Sequence, residues 1–435
     1  MQKQKSVPTS RVGRAARFGL LASKVAGNML LGGAKSIASG QHKSRQELLL
    51  NAKNMESFAN QLAHLRGAAM KLGQLLSMDS GELLSPELAA VLARLRSDAT
   101  PMPHKQLTAT MRKLWGDNWL DNLANFELRP FAAASIGQVH RAYTESGQKL
   151  AIKVQYPGIA KGIASDVDNL AYLLRLSGLL PKNVDIGPLI NEAKTQLLNE
   201  ADYNLEAQYL ARYSDHLRGD ENYCTPDVIA PLCSKELLAM TFVEGQDIDT
   251  LANASQELKN KALEQLITLF LRELFIFKLV QTDPNFANYR YQCDEQRLVL
   301  LDFGATRELP PHISEGYKRL LAAAIDNDKQ AVADAAKHIG YFEEGLAQAY
   351  IDNVVDIFML ACEPLRFDGE YDFANSDLPK RIKELGLAMS TQSQHWHAPP
   401  VDALFVHRKL GGLFLIGAKL GAKLNINKIY QQSVF

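Results

Sequence analysis

Acidic residues are missing from the first 46 positions, which hold nine Lys or Arg; the first acid is Glu47. The rest of the chain therefore carries 39 basic against 48 acidic residues, so a net charge of zero hides a basic arm suited to an anionic surface. Cysteine is scarce and scattered. Cys224, Cys233, Cys293 and Cys362 form no C-x-x-C pair, which argues against a zinc site or disulfide framework and fits a reducing compartment. No run of 18 apolar residues lacks a charge. Leu266 to Val280 comes nearest and is interrupted by Arg272, Glu273 and Lys278, so no transmembrane helix is expected. There is no low-complexity tract, and 435 residues at 46% hydrophobic and 22% charged suffice for two or three domains with sizeable cores.

What is present centres on residues 279–307, LVQTDPNFANYRYQCDEQRLVLLDFGATR. Asp283 and Asn288 stand five apart, and a short apolar run then leads to Asp302-Phe303-Gly304. Hard cations such as Mg²⁺ take one or two protein oxygens and complete their shell with phosphate and water. Protein kinases meet that need with a catalytic-loop Asp, a metal-binding Asn and the Asp of D-F-G. Residues 297–301 read as a buried strand that delivers Asp302.

Taken in order, the chain opens with a segment (Arg11–Lys35) of partial helical periodicity, with Phe18, Leu21, Val25 and Met29 on one face and Arg17 and Lys24 on its flank. Membrane contact, docking on the protein's own body, and a cleaved organelle signal all fit it. Residues 47–98 read as helices, with Phe58, Leu62, Leu65, Ala69, Leu72 and Leu76 as the packing stripe. Lys71 and Gln74 lie on the opposite face, where such residues are ordinarily solvated, although Gly67 and Gly73 suggest close approach by another element.

Pro101 and Pro103 mark a boundary, followed by a short helical segment with Trp115 and Trp119. Strands are expected at 126–131, 138–144 and 149–155. Their first turn, Ala132-Ala133-Ala134-Ser135-Ile136-Gly137-Gln138-Val139, keeps the last Gly and the Val of a kinase glycine loop but has alanine at both earlier glycines. Leu150-Ala151-Ile152-Lys153 supplies the lysine of V-A-I-K. Helices are expected at 160–178 and, as one unbroken element, at 186–213. A carboxylate must hold Lys153; Glu200 is the first choice and Glu206 the second. A strand at 236–243 leads to a hinge at Glu244-Gly245-Gln246, with 240–244 expected to line an adenine pocket. After Gly304 there is no A-P-E and little room for an activation loop, which counts against a protein substrate. A basic helix is expected at 407–425, partly buried through Leu410, Phe414, Leu420 and Leu424.

In this order the motifs resemble the UbiB (AarF) family of atypical kinases, which supports coenzyme Q biosynthesis. The resemblance rests on K-x-G-Q at 71–74, the alanine loop at 132–137, N-E-A-D-Y-N-L-E-A at 199–207, and Q-T-D-P-N-F-A-N with D-F-G. It implies an α+β, two-lobed protein-kinase-like fold in which the K-x-G-Q helix covers the active site, so that Lys71 and Gln74 face the nucleotide. The segments implied are a basic arm at 1–46, the K-x-G-Q extension at 47–125, a small lobe at 126–247 and a helical lobe at 248–435. The cofactors implied are ATP (or ADP) and Mg²⁺, with Asn288 and Asp302 on the metal, Asp283 on the attacking group, and Lys153 oriented by Glu200. Ala132, Ala133, Ala134, Ser135, Gly137 and Glu244 would serve the nucleotide. Ala adds a methyl where backbone must approach phosphate. ATPase activity, a lipid or quinone-precursor kinase and a nucleotide-gated scaffold all fit the resemblance. Partners implied are quinone precursors, a membrane surface and other coenzyme Q enzymes; nucleic acid is not indicated and a homodimer is left open. Some bacterial members carry C-terminal transmembrane helices absent here, so peripheral attachment is expected. The arm reads more as a family segment than a removable signal, which places the chain in a bacterial cytoplasm or on an inner membrane rather than in a mitochondrion.

Overall fold

The computed structural model describes residues 101–177, 187–392 and 399–434. The basic arm, the K-x-G-Q helix and the stripe at 47–98 lie outside them. The chain divides into two compact units: one holds 101–205 and 228–242 of the described residues, the other 206–227 and 243–434.

The first unit begins with α1 (His104–Trp115) and continues through β1 (Asn125–Phe126), β2 (Ala132–Ala133), β3 (Gly137–Tyr143) and β4 (Lys149–Gln155). After α2 (Ile159–Ser177), α3 (Gly187–Glu200) and the start of α4 (Tyr203–His216), the chain returns as β6 (Leu237–Thr241); β5 (Tyr223–Cys224) belongs to the second unit. The sheet is antiparallel in the order β1-β3-β4-β6, with β2 also on β3. Strand alternation sends Leu150, Ile152 and Val154 of β4 into a core with Leu107, Met111, Trp119 and Phe126. Ala151, Lys153 and Gln155 take the opposite face, yet they too are buried, so β4 is covered on both sides.

Two expectations change here. The strand expected at 126–131 survives only as β1, because Pro130 has no N–H to give a ladder; Glu127 N and Phe131 N still donate to Arg141 O and Val139 O, so the segment runs beside β3. The single helix expected at 186–213 is two, α3 and α4. The Asp202 carboxylate accepts from Asn204 N at 3.1 Å, and Tyr203 N leaves the helical ladder for Lys235 O at 3.1 Å.

In the second unit β7 (Gln246–Asp247), β9 (Tyr289–Gln292) and β10 (Arg297–Leu300) join β5 in the order β5-β10-β9-β7, parallel only between β5 and β10. A ribbon pairs β8 (Leu279–Gln281) with β11 (Thr306–Glu308). Helix α5 (Gln256–Arg272) is capped by Ser255, whose Oγ accepts from Leu258 N, and runs into a wider turn at Glu273–Phe277 that ends at Lys278 in a left-handed conformation, φ 50°. Helices α6 (Pro311–Ile325), α7 (Lys329–Ile339), α8 (Gln348–Ala361), α9 (Glu363–Arg366) and α10 (Leu378–Gln392) follow. The last elements are β12 (Tyr371–Asp372), paired with β13 (Lys423–Leu424), α11 (Val401–Leu420) and α12 (Ile426–Val434).

The basic helix expected at 407–425 is α11. It starts at Val401 after Pro400 and stops at Leu420, because Gly421 takes the left-handed conformation (φ 70°) that closes a helix. Its buried residues are Ala403, Leu404, Phe405, Val406, Lys409, Leu413, Ile416, Gly417 and Leu420, whereas Leu410 is exposed. Among the described residues no helix is long and apolar enough to cross a membrane.

Candidate active site

The first unit carries a lysine and a tight turn. Lys153 sits on the doubly covered β4, opposite Val139 of β3 and Leu238 of β6, so its backbone is fixed from both sides. The residue is 7% exposed, and Nζ lies 5.1 Å from the centre of the Tyr203 ring. The same face is tied to the break between α3 and α4, because Gln155 Nε2 donates to Ala201 O at 2.8 Å and Lys235 O at 3.2 Å. Glu200 closes α3 and is buried. Ser135 Oγ donates to its Oε2 at 3.4 Å, which connects the alanine turn to that carboxylate. Glu206 is buried as well, on α4 in the second unit.

Ala132 and Ala133 are in β2, paired with Val139 and Gln138, so the turn itself is Ala134–Gly137, closed by Ala134 N on Gly137 O at 3.0 Å. Gly137 is needed for space, not for φ. A Cβ there would overlap the carbonyl of Val154 and stand 2.8 Å from the Tyr203 hydroxyl. Glu244 is exposed just after the chain passes into the second unit.

The second unit carries the carboxylates. Asp283 and Asn288 lie on one loop, and β10 delivers Asp302 as the expected buried strand. Backbone bonds lock the two loops together at both ends. Leu301 N donates to Asn288 O at 3.1 Å; at the other side Thr282 gives both its N (3.0 Å) and its Oγ1 (2.7 Å) to Ala305 O. Within the loop Asn288 Nδ2 donates to Asp283 O at 2.9 Å, which leaves the amide oxygen as its acceptor. Asp302 Oδ1 accepts from Gly304 N at 3.0 Å, and Phe303 is buried with its ring 4.9 Å from that of Tyr213. The Asp302 carboxylate and the Asn288 amide oxygen are hard oxygen donors of the kind that fits Mg²⁺, whose remaining ligands would come from phosphate and water. Lys71 and Gln74 lie outside the described residues.

Three charged residues around this loop have no counterpart in the sequence reading. The Arg408 guanidinium donates to Asp283 Oδ1, with the arginine side chain only 9% exposed. Its neighbour Lys409 lies 3.6 Å from Glu273 Oε2, and the side chains of both are 1% exposed. Burial pushes Glu273 above the usual carboxylate range; burial also opposes charge on Lys409, but Glu273 and Tyr289 outweigh it and raise the ammonium's proton affinity. The signal was a pair of interruptions: an acid inside the apolar run at 266–280 and a lysine inside an apolar helix, each costly to bury alone.

A family model described as the ABC1 atypical kinase-like domain matches residues 94–336. The mitochondrial atypical kinase COQ8 of Saccharomyces cerevisiae is 36% identical over 433 residues, covering 99% of this chain and 86% of the relative. The mitochondrial atypical kinase COQ8B of Rattus norvegicus is 35% identical over 434 residues, covering 99% of this chain and 82% of the relative. In Schizosaccharomyces pombe the mitochondrial COQ8 is 34% identical over 98% of this chain and 69% of its own length. Among solved structures, Rv3197 of Mycobacterium tuberculosis, in its erythromycin complex, aligns with a TM-score of 0.59 at 22% identity, over 89% of this chain and 98% of that one, which shows the kinase-like fold. These relatives overturn the expected bacterial cytoplasmic or inner-membrane location: they are mitochondrial proteins, which supports a mitochondrial location instead. The expectation had leaned on reading the basic arm as a permanent segment, and composition alone does not separate such an arm from an organelle signal.

Proposed function

The chain belongs to the ABC1 atypical kinase family, and from this premise we propose that it carries out Mg²⁺-dependent phosphoryl chemistry on ATP in support of coenzyme Q biosynthesis. It is an atypical kinase of the COQ8 type. The observation that carries the proposal is the locking of the Asp283–Asn288 loop to the Asp302-Phe303-Gly304 turn by backbone bonds at both ends. Phosphoryl transfer depends on positioning and charge, and a loop pair fixed in advance needs little reorganisation when substrate arrives.

Asp302 and Asn288 would hold the metal, which when bound neutralises charge on the phosphates. Lys153 contacts the α- and β-phosphates, and Glu200, already tied to Ser135, orients it; Glu206 is the alternative partner. Backbone amides of Ala132–Gly137 cover the phosphates, and Glu244 serves the nucleotide's other end. Asp283 orients the attacking water or hydroxyl and takes its proton as oxygen bonds to the γ-phosphorus and the bridge to ADP breaks. Lys71 and Gln74 close the site. The short passage from Gly304 through β11 to α6 offers no long peptide platform, which supports water, a lipid or a quinone-precursor hydroxyl as acceptor. A peripheral membrane surface and other coenzyme Q enzymes complete the proposed surroundings.

The test is Asp302→Asn, assayed for ATP turnover and for the rise in melting temperature that ATP with Mg²⁺ gives the wild type. Both are expected to vanish. A variant that turns over ATP like the wild type overturns the assignment. Labelled ATP then separates the acceptors: label only in free phosphate means hydrolysis, label in an isoprenoid phenol means a kinase.

A further inference from the structure

Resting on that reading, we propose that Lys409, neutralised by Glu273, is a positioning residue that braces both ends of the metal-binding loop from beneath. The ammonium has three protons to give, and three groups surround it. Nζ donates to the Tyr289 hydroxyl at 2.9 Å and to Gln281 Oε1 at 3.2 Å, and Glu273 Oε2 stands 3.6 Å away. Tyr289 directly follows Asn288, and Gln281 directly precedes Thr282. Lys409 thus reaches the residue on each side of the loop 282–288 that holds Asp283 and Asn288.

The brace continues into the loop. Gln281 Nε2 donates to Asp283 O at 3.1 Å, while the Arg408 guanidinium takes the Asp283 carboxylate. Adjacent residues of α11 therefore address the backbone and the side chain of the same aspartate. On the far side, the Tyr213 hydroxyl donates to Glu273 Oε1 at 2.9 Å and contacts Leu279 O at 3.1 Å, one strand position from Val280 and two from Gln281. Every polar group in the chain Tyr213–Glu273–Lys409–Gln281/Tyr289 belongs to the second unit.

Stability alone does not explain this arrangement. A buried ion pair is commonly matched or bettered by apolar side chains of equal volume, and the fully buried positions of α11 other than Lys409 are all apolar or glycine. What an apolar pair would not do is fix the Tyr289 hydroxyl and the Gln281 amide, and with them the spacing of the loop ends. Partners of this kind behind a metal ligand typically carry about 10- to 100-fold in metal affinity.

The test titrates Mg²⁺ against the full-length protein in the presence of a non-hydrolysable ATP analogue, reading the melting temperature, with ATP turnover in parallel. Lys409→Met alone strands Glu273, so the working variants are the neutral pair Lys409→Met with Glu273→Gln, and Tyr289→Phe, which removes one hydroxyl and no charge. Both are expected to melt near the wild type without ligand. Both are expected to need more Mg²⁺ for the half-maximal shift, about tenfold more for the pair, with kcat falling while KM for ATP changes little. Wild-type Mg²⁺ midpoints in the two variants overturn the inference. Asp302→Asn runs beside them: if it too keeps the wild-type response, the metal site itself is misplaced and the failure belongs to the proposed function. Should the neutral pair not fold, the midpoint of Tyr289→Phe decides alone.

Discussion

The Arg408 guanidinium is bonded to the Asp283 carboxylate across 125 residues of sequence. An aspartate so held has one oxygen committed to a fixed cation, so its direction is set before any substrate arrives. Arg408→Met keeps the aliphatic stem and removes the charge. The expected result is a fall in kcat of roughly 100-fold from misplacement of the aspartate, with a smaller change in KM. Steady-state ATP kinetics on purified protein check this, and an unchanged kcat would show that Asp283 needs no such partner.

A methyl at Gly412 tests the same region sterically. Gly412 is on α11, where Ala would ordinarily gain about 1 kcal/mol of helix propensity. Its Cβ, however, would overlap the ring of Pro284, the residue after Asp283. Overpacking costs about 1–3 kcal/mol, so the clash is expected to win. Gly412→Ala should unfold at lower denaturant concentration and turn over ATP more slowly. Greater stability in urea would mean that Pro284 yields freely.

In the first unit, Gly137→Ala is expected to cost about 1–3 kcal/mol for the same reason. The new methyl meets the Val154 carbonyl and the Tyr203 hydroxyl. Denaturant titration gives the loss directly. Ser135→Ala at the same turn meets no such obstacle and should leave stability within about 0.5 kcal/mol of the wild type.

Acid should weaken the first unit through His140. Burial pulls this imidazole down from 6.5 to about 4, opposed by its bond to the Glu127 carbonyl. Nδ1–H donates to Glu127 O at 2.8 Å and Nε2 accepts from the Gln138 amide at 2.8 Å, so the neutral ring is fully used. A depressed pKa means that the unfolded chain binds the proton first. Stability is therefore intact above pH 6.5 and falls as the pH drops toward 4, by on the order of 3 kcal/mol in total. His140→Phe, which can keep the stack on Phe126, should be less stable at pH 7 but show a shallower decline between pH 6.5 and 4 in melting experiments. An unaltered slope would assign the acid response to other groups, of which His407, also pulled down to about 4 by burial, is the first to examine.

Much of this was legible because the chemistry sits in local patterns. The apolar run before Asp302 is β10, the lysine of Ala151-Ile152-Lys153 is on a central strand, and Asp283 and Asn288 share one loop as their spacing implied. What escaped were features that depend on distant partners. The break after Glu200 requires Lys235 O to take the Tyr203 amide, and nothing in a helical periodicity reports that acceptor. Residues 408 and 409 have no role in the basic helix expected at 407–425, whose buried face is assigned from leucines and a phenylalanine, since cations are usually exposed. Only their counter-charges, Asp283 and Glu273, reveal them as interior.

Placing the braces of the loop on α11 has a consequence for the order of events during synthesis. A ribosome finishes Asp283 125 residues before Arg408, an interval of roughly 6–25 s at 5–20 residues per second. For most of that interval a nascent chain carries Asp283, Asn288 and Asp302 without the Arg408 that holds the Asp283 carboxylate or the Lys409 beneath the loop. On the function proposed above, phosphoryl chemistry by an unfinished polypeptide is thereby held back until α11 has docked.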